Sequence, residues 1–260
     1  MGPDAPMPRS LREHARWIRL GAVPCLIVHP DGQAGPGTRP APWLLWMHGR
    51  TAHKEIDNGR FLRLMRAGIA SVAIDLPAHG ERAAADRQTS DGTMEIIEVS
   101  LAEMPELVAD LGEELGLDPA RGAIGGMSLG GMVALATLCR PHAFRAAWVE
   151  ATTGDWTHLQ GAMHDPARAD AMEPARHLDR WRPVPLLAIH AELDEWIPFQ
   201  DQRRFLDRVR SVNGEAPVEL LAFPRTGAPH EHIGFGTFAP RAKEAGVAFL
   251  ERHLDVTPSR

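Results

Sequence analysis

Apolar residues along this chain fall into two patterns. Short apolar runs occupy 23–28, 43–47, 70–74, 123–127, 146–149, 185–189 and 218–223. Several show no polar alternation, as expected for strands covered on both faces of a parallel sheet. Between and after them lie amphipathic segments around Leu62, Leu64 and Met65, then at 104–115, 132–138, 205–212 and 242–254, which read as helices. Alternating strands and helices predict an α/β domain with right-handed crossovers. The first two runs break the rule. They are joined by Pro30-Asp31-Gly32-Gln33-Ala34-Gly35-Pro36-Gly37 with no helix between. That reads as a hairpin-like start, so the expected sheet is mixed, mostly parallel, with about seven or eight strands. Residues 151–183 also depart from the alternation, with Trp156, Met163, Met172, His158, His164 and His177 among scattered apolar positions. They read as a short, cap-like excursion over one edge of the sheet. No repeat or linker-like composition interrupts 1–260, so one domain is expected.

Composition narrows the picture modestly. At 260 residues and 44% hydrophobic the chain can bury a large core, which excludes disorder. A net charge of −6 argues against nucleic acid or an anionic membrane as partner. Cys25 and Cys139 lie far apart without metal or redox spacing, which points to buried free thiols in a reducing compartment. Residues 1–13 are polar and Pro-rich, unlike a signal peptide, and no segment approaches the ~18 apolar residues of a membrane helix. A cytoplasmic protein is expected. Nearly all basic residues are Arg, with Lys only at 54 and 243.

The chemistry concentrates at Gly-Ala-Ile-Gly-Gly-Met-Ser-Leu-Gly-Gly-Met, 122–132, between a predicted strand and a predicted helix. Glycines at such a junction either cradle a phosphate or expose a nucleophile. Glu150 stands at about the right distance for the ribose-binding acid of a dinucleotide site. However, Ser128 then takes the middle glycine position, where a side chain blocks the pyrophosphate. Gly126-Met127-Ser128-Leu129-Gly130 instead fits G-x-S-x-G, a turn that lifts a serine hydroxyl above the sheet edge. Ser128 is the expected nucleophile, and the helix behind it presents N–H groups to developing negative charge.

The remaining parts follow in the chain order this architecture uses. A strand ending in His48-Gly49-Arg50-Thr51 offers an early oxyanion loop. The next closes with Asp75-Leu76-Pro77-Ala78-His79-Gly80. An acid follows the run at 185–189, in Glu192-Leu193-Asp194-Glu195-Trp196-Ile197-Pro198. Two histidines follow the last strand, in Gly227-Ala228-Pro229-His230-Glu231-His232. Together these motifs resemble an α/β-hydrolase over roughly residues 20–255. More narrowly, 48–55 and 128–132 resemble small bacterial serine esterases near the dienelactone-hydrolase and prolyl-oligopeptidase branch. Dienelactone hydrolases use cysteine where this chain has Ser128.

The resemblance implies an α/β-hydrolase fold with Asp194 as the acid, four residues before Pro198. His230 is the expected base, because the Gly-Ala-Pro turn before it could aim the ring back at Ser128; His232 is the competitor. The N–H groups of Leu129 and Arg50 are the expected oxyanion hole, with Thr51 as substitute if the loop shifts by one, and the Arg50 side chain is expected to reach solvent. Trp156, Met163 and Trp196 are read as core before pocket. His48, His53, Asp75 and His79 cluster at strand ends, but no metal spacing fits them, and neither metal nor cofactor is implied. The expected activity is carboxylesterase action on a small-molecule ester. Peptidase, thioesterase or acyltransferase use of the same triad is the near alternative, and a non-catalytic binding module the distant one.

Overall fold

The computed structural model describes residues 7–159 and 166–256. At its centre is an eight-stranded sheet: β1 (Ala15–Leu20), β2 (Val23–Val28), β3 (Ala41–Met47), β4 (Ala70–Ile74), β5 (Leu117–Met127), β6 (Ala146–Glu150), β7 (Leu186–Ala191) and β8 (Val218–Phe223). The spatial order is β1-β2-β4-β3-β5-β6-β7-β8. From β4 through β3 to β8 all pairs are parallel, while β2 is antiparallel to both β1 and β4. This is the eight-stranded, mostly parallel sheet of an α/β-hydrolase.

The sheet is mixed as expected, but the hairpin sits elsewhere. It joins β1 to β2 through Gly21, at φ 52°, and β4 separates β2 from β3. Segment 30–37 is therefore a connection between non-adjacent strands. β1 escaped the apolar pattern because it is an edge strand: half-buried Arg16, Ile18 and Leu20 alternate with exposed Trp17 and Arg19.

Every residue of β2, β3, β4, β6 and β7 is buried. Successive side chains point to opposite faces. Trp43, Leu45 and Met47 therefore enter one core, and Leu44 and Trp46 the other. Helices cover both cores: α1 (Arg9–Arg12), α2 (Asn58–Arg66), α3 (Thr93–Asp110), α4 (Leu129–Leu138), α5 (Pro166–Asp170), α6 (Phe199–Arg210) and α7 (Ala239–His253). Side chains of α3, α4 and α6 enter the first core, and those of α1, α2 and α7 the second. Helix α3 begins at Thr93 rather than 104, and Pro105 lies inside it. Proline there reads in sequence as a helix start. Buried Met94, Ile96, Ile97 and Leu101 extend the helix upstream through tertiary packing. Helix α4 is buried on all sides.

The described parts of 151–183 pack on the α4 and α6 face. Trp156, Met172, Ala175 and Trp181 join that core, and Trp181 meets Phe205 edge-on, 6.2 Å between centroids. Met163 and His164 lie outside the described residues. Cys25 and Cys139 are free and buried, and burial pushes both thiols up to about 12. Among the described residues no helix is long and apolar enough to cross a membrane.

Candidate active site

Ser128 sits between β5 and α4 at φ 52°, ψ −115°, a conformation that costs of order 1–3 kcal/mol in a non-glycine residue. Surrounding bonds hold it there. Its N–H donates to the Glu150 carbonyl at 2.9 Å, and its own carbonyl accepts from Met132 N–H and Thr152 Oγ1, each at 2.9 Å. Gly130 N–H reaches back to the His48 carbonyl at 3.1 Å. The two glycines of the motif answer to steric contact. A Cβ on Gly126 would lie 2.4 Å from the Gly130 carbonyl carbon, and one on Gly130 would lie 2.2 Å from the Met47 carbonyl oxygen. Only bare backbone permits the turn to fold so close to β3.

His232 Nε2 lies 2.9 Å from Ser128 Oγ. Its Nδ1 lies 2.8 Å and 3.0 Å from the two carboxylate oxygens of Asp194. A carboxylate accepts, so Nδ1 carries the proton and Nε2 is left to accept from the serine hydroxyl. Asp194 is held by the N–H groups of Trp196 and Ile197, at 2.9 and 2.8 Å. Both side chains are almost wholly buried. The Trp196 ring lies 4.7 Å from the imidazole of His232.

His230, the expected base, is not in this line. Its ring pairs with Glu195 at 2.9 Å, with about half of each side chain exposed (52% and 60%). The reason lies in the backbone. His230 and Glu231 both take positive φ, 55° and 48°. Glu231 folds inward and accepts from Thr226 N–H, Thr226 Oγ1 and Gly227 N–H at 2.6, 2.7 and 3.0 Å. That reversal turns His230 outward and delivers His232 to Ser128.

Arg50, Thr51 and Leu129 line the cavity beside Ser128. Leu129 is the first residue of α4, so its N–H has no partner within the helix. The Arg50 side chain, expected in solvent, is half-buried and donates to Ser90 Oγ at 3.2 Å. The loop carrying Arg50 and Thr51 is anchored by Lys54. Both its N–H and its ammonium reach Asp75, at 2.9 and 2.7 Å, and the ammonium also reaches Glu81 at 2.6 Å. Burial opposes both charges. The direct bonds outweigh it, holding the Asp75 carboxyl below and the Lys54 ammonium above their ordinary ranges. His48 donates from Nδ1 to the Gly49 carbonyl and accepts Leu76 N–H on Nε2; burial lowers it to about 4. Asp75 and His48 are thus committed to protein partners. Among the described residues no group of three or more His, Cys, Asp or Glu is placed to hold a metal.

Behind the turn, Arg60 grips the Glu150 carboxylate at 2.8 and 3.1 Å and lies over the adjoining rings of Trp46 and Trp148, 3.7 and 4.2 Å from their centroids. Glu150, the one acid spaced for a ribose, is spent there. The Arg60 and Lys54 contacts were missed by sequence reasoning. One signal existed: both lysines of this arginine-rich chain reach the site, Lys54 under the loop and Lys243 in the cavity wall.

The cavity over Ser128 measures about 330 Å³. Met94, Met132, Leu159, Trp46, Met127 and Ile233 supply apolar lining. Trp196, read as core, is in this wall with 44% exposure, while Trp156 is fully buried.

This arrangement has relatives. A family model described as the prolyl oligopeptidase family matches residues 61–257. The chain belongs to the prolyl oligopeptidase family. It is 26% identical over 252 residues to Esterase YjfP of Escherichia coli (strain K12), covering 90% of this chain and 97% of that one. Among solved structures, TT1662 from Thermus thermophilus superposes with a TM-score of 0.70 at 25% identity, covering 94% of this chain and 99% of that one. An acylaminoacyl peptidase from Pyrococcus horikoshii shares the fold, with a TM-score of 0.71 at 16% identity over 95% of this chain but only 43% of its own. The protein is a serine hydrolase of the α/β-hydrolase fold.

Proposed function

We propose that this hydrolase is a carboxylesterase that cleaves small esters through an acyl-enzyme on Ser128. Supporting the reading most directly is the unbroken line Asp194–His232–Ser128, at 2.8 and 2.9 Å, opening into an apolar cavity. In the proposed reaction His232 Nε2 removes the Ser128 proton as Oγ attacks the ester carbonyl. Asp194 stabilises the imidazolium that forms. The N–H groups of Leu129 and Arg50 receive the oxyanion, each donor contributing about 2.7–4 kcal/mol. His232 then protonates the departing alcohol. Water, deprotonated by the same ring, releases the acid and regenerates the serine.

The cavity, at about 330 Å³, stands at the small end of ligand pockets, which run from about 300 to 1,000 Å³, and its walls favour an uncharged acyl or aryl group. The similarity to a full-length curated esterase agrees with ester cleavage. We also propose that 1–260 acts as one hydrolase unit, on the continuity of the sheet from β1 to β8. A cytoplasmic site of action is in keeping with two free, buried thiols.

A fluorophosphonate should label Ser128, and p-nitrophenyl acetate should give a burst of p-nitrophenol followed by slower turnover. Ser128→Ala should abolish both. Unchanged turnover in that variant, with no labelling of the folded wild type, sinks the proposal.

A further inference from the structure

His190 stands beside Asp194, and its ring lies nearest the same carboxylate oxygen, Oδ2, that His232 approaches most closely. His190 is the penultimate residue of β7 and is fully buried. Its Nε2 lies 2.9 Å from the Ile197 carbonyl and 3.5 Å from Asp194 Oδ2. A carbonyl only accepts, so Nε2 bears the proton. Nδ1 then carries a lone pair, and it is buried without a hydrogen-bond partner. Asp194 therefore has two imidazoles beside it. His232 Nδ1 lies 2.8 Å from Oδ2 and 3.0 Å from Oδ1, whereas His190 gives its N–H to Ile197 with Oδ2 3.5 Å away; the N–H groups of Trp196 and Ile197 bind Oδ1.

We propose that His190 is a positioning residue for the Asp194 carboxylate: its Nε2–H, donated to the Ile197 carbonyl, holds the loop that binds Asp194 and so fixes the plane in which Asp194 meets His232. This rests on the Ser128–His232–Asp194 reading. Ile197 lies in the loop whose N–H groups bind Oδ1, so one proton braces that loop while the ring lies close to the second oxygen. The ring is suited to the task because it stays neutral. Burial lowers its proton affinity, against the opposing pull of Asp194 and Asp201, and a charged His232 lowers it further. Those are the charged and titratable groups that face it: Asp194 in the loop after β7, Asp201 on α6 and His232 in the loop after β8. Phe199 packs against it with ring centres 5.8 Å apart. Two adjacent imidazoles thus have separate roles, one exchanging a proton with Ser128 and one holding its own.

The test uses His190→Leu, His190→Gln and His190→Asn in the full chain, with active sites counted by fluorophosphonate titration. The Gln amide can reach the place of Nε2; the shorter Asn amide cannot. His190→Leu and His190→Asn should each lower kcat about tenfold with KM within about twofold. They should also move the acid limb of kcat/KM to higher pH, because a carboxylate relieved of a neighbouring N–H dipole stabilises the imidazolium more strongly. His190→Gln should keep both rate and limb near wild type. If His190→Leu fails to fold, the Gln and Asn pair carries the comparison alone. An acid limb that stays in place in the Leu and Asn variants, or a Gln variant that restores nothing, overturns the proposal and leaves only a packing role. Loss of the triad reading itself would show differently, as wild-type turnover that survives Ser128→Ala.

Discussion

His232 Nε2 and Ser128 Oγ meet at 2.9 Å although 104 positions separate them in the chain. The contact depends on two distant loops arriving at the same point: a glycine-lined turn after β5 and a turn of positive-φ residues after β8. His230, two residues away, faces Glu195 and the surface.

The two histidines should therefore behave very differently. His232→Ala is expected to lower kcat by about 10⁴ or more, as loss of a triad base does elsewhere. His230→Ala should stay within about threefold of wild type. Steady-state kinetics on p-nitrophenyl acetate decide; a reversed order would return the base to His230.

The Lys54–Asp75 pair ties the Arg50–Thr51 loop to the end of β4. Lys54→Met should cost about 3–5 kcal/mol of stability, because it leaves a buried carboxylate uncompensated. It should also lower kcat more than it raises KM, since oxyanion donors act mainly in the transition state. The pair also has a pH signature. Asp75 is held below its unfolded value, so its contribution is complete above that value and disappears as pH falls through the lower, folded one. Below about pH 4 the wild type should lose stability faster than Lys54→Met does.

His48 offers a second linkage, at milder pH. It is buried and neutral, its proton affinity lowered from 6.5 to about 4. The unfolded chain binds a proton between those values and the folded chain does not, so stability should fall as pH drops through that window. The difference corresponds to about 3 kcal/mol. His48→Gln should flatten the slope of unfolding free energy against pH between 6.5 and about 4. Parallel slopes in wild type and variant would remove His48 from the account.

A methyl group on Gly130 would strike the Met47 carbonyl at 2.2 Å. Gly130→Ala must push α4 away from β3 or move the turn. We expect kcat to drop at least about 100-fold, the cost of a misplaced oxyanion donor, while circular dichroism keeps its helix and sheet signal. Wild-type kcat in this variant would contradict the close-packed turn.

Met132 lines the cavity from α4. Met132→Trp should spare acetyl esters and reduce kcat/KM for hexanoyl esters at least about tenfold, because overfilling a packed wall costs about 1–3 kcal/mol. Equal losses on both substrates would mean the longer acyl group lies elsewhere.

Much of this was legible in one dimension because its causes are local. Strands buried on both faces are largely apolar runs, and the runs at 23–28 and 70–74 coincide with β2 and β4. The nucleophile turn is a local steric problem that only glycine solves at 126 and 130, so it leaves a motif. Edge strand β1 left a weaker trace, since one covered face permits charged residues to alternate with apolar ones.

By itself, then, the chain determined the succession of strands and major helices from β2 onward, the serine in its strained turn and the acid after β7, all set by burial and backbone sterics among near neighbours. Only the tertiary structure decided which histidine meets that serine, that β4 rather than β3 pairs with β2, and that Lys54 and Arg60 are buried beneath the site. Those outcomes depend on how distant loops turn and which charges they enclose: a Glu231 side chain folded onto Thr226 rotates His232 inward, and no spacing between residues encodes that rotation.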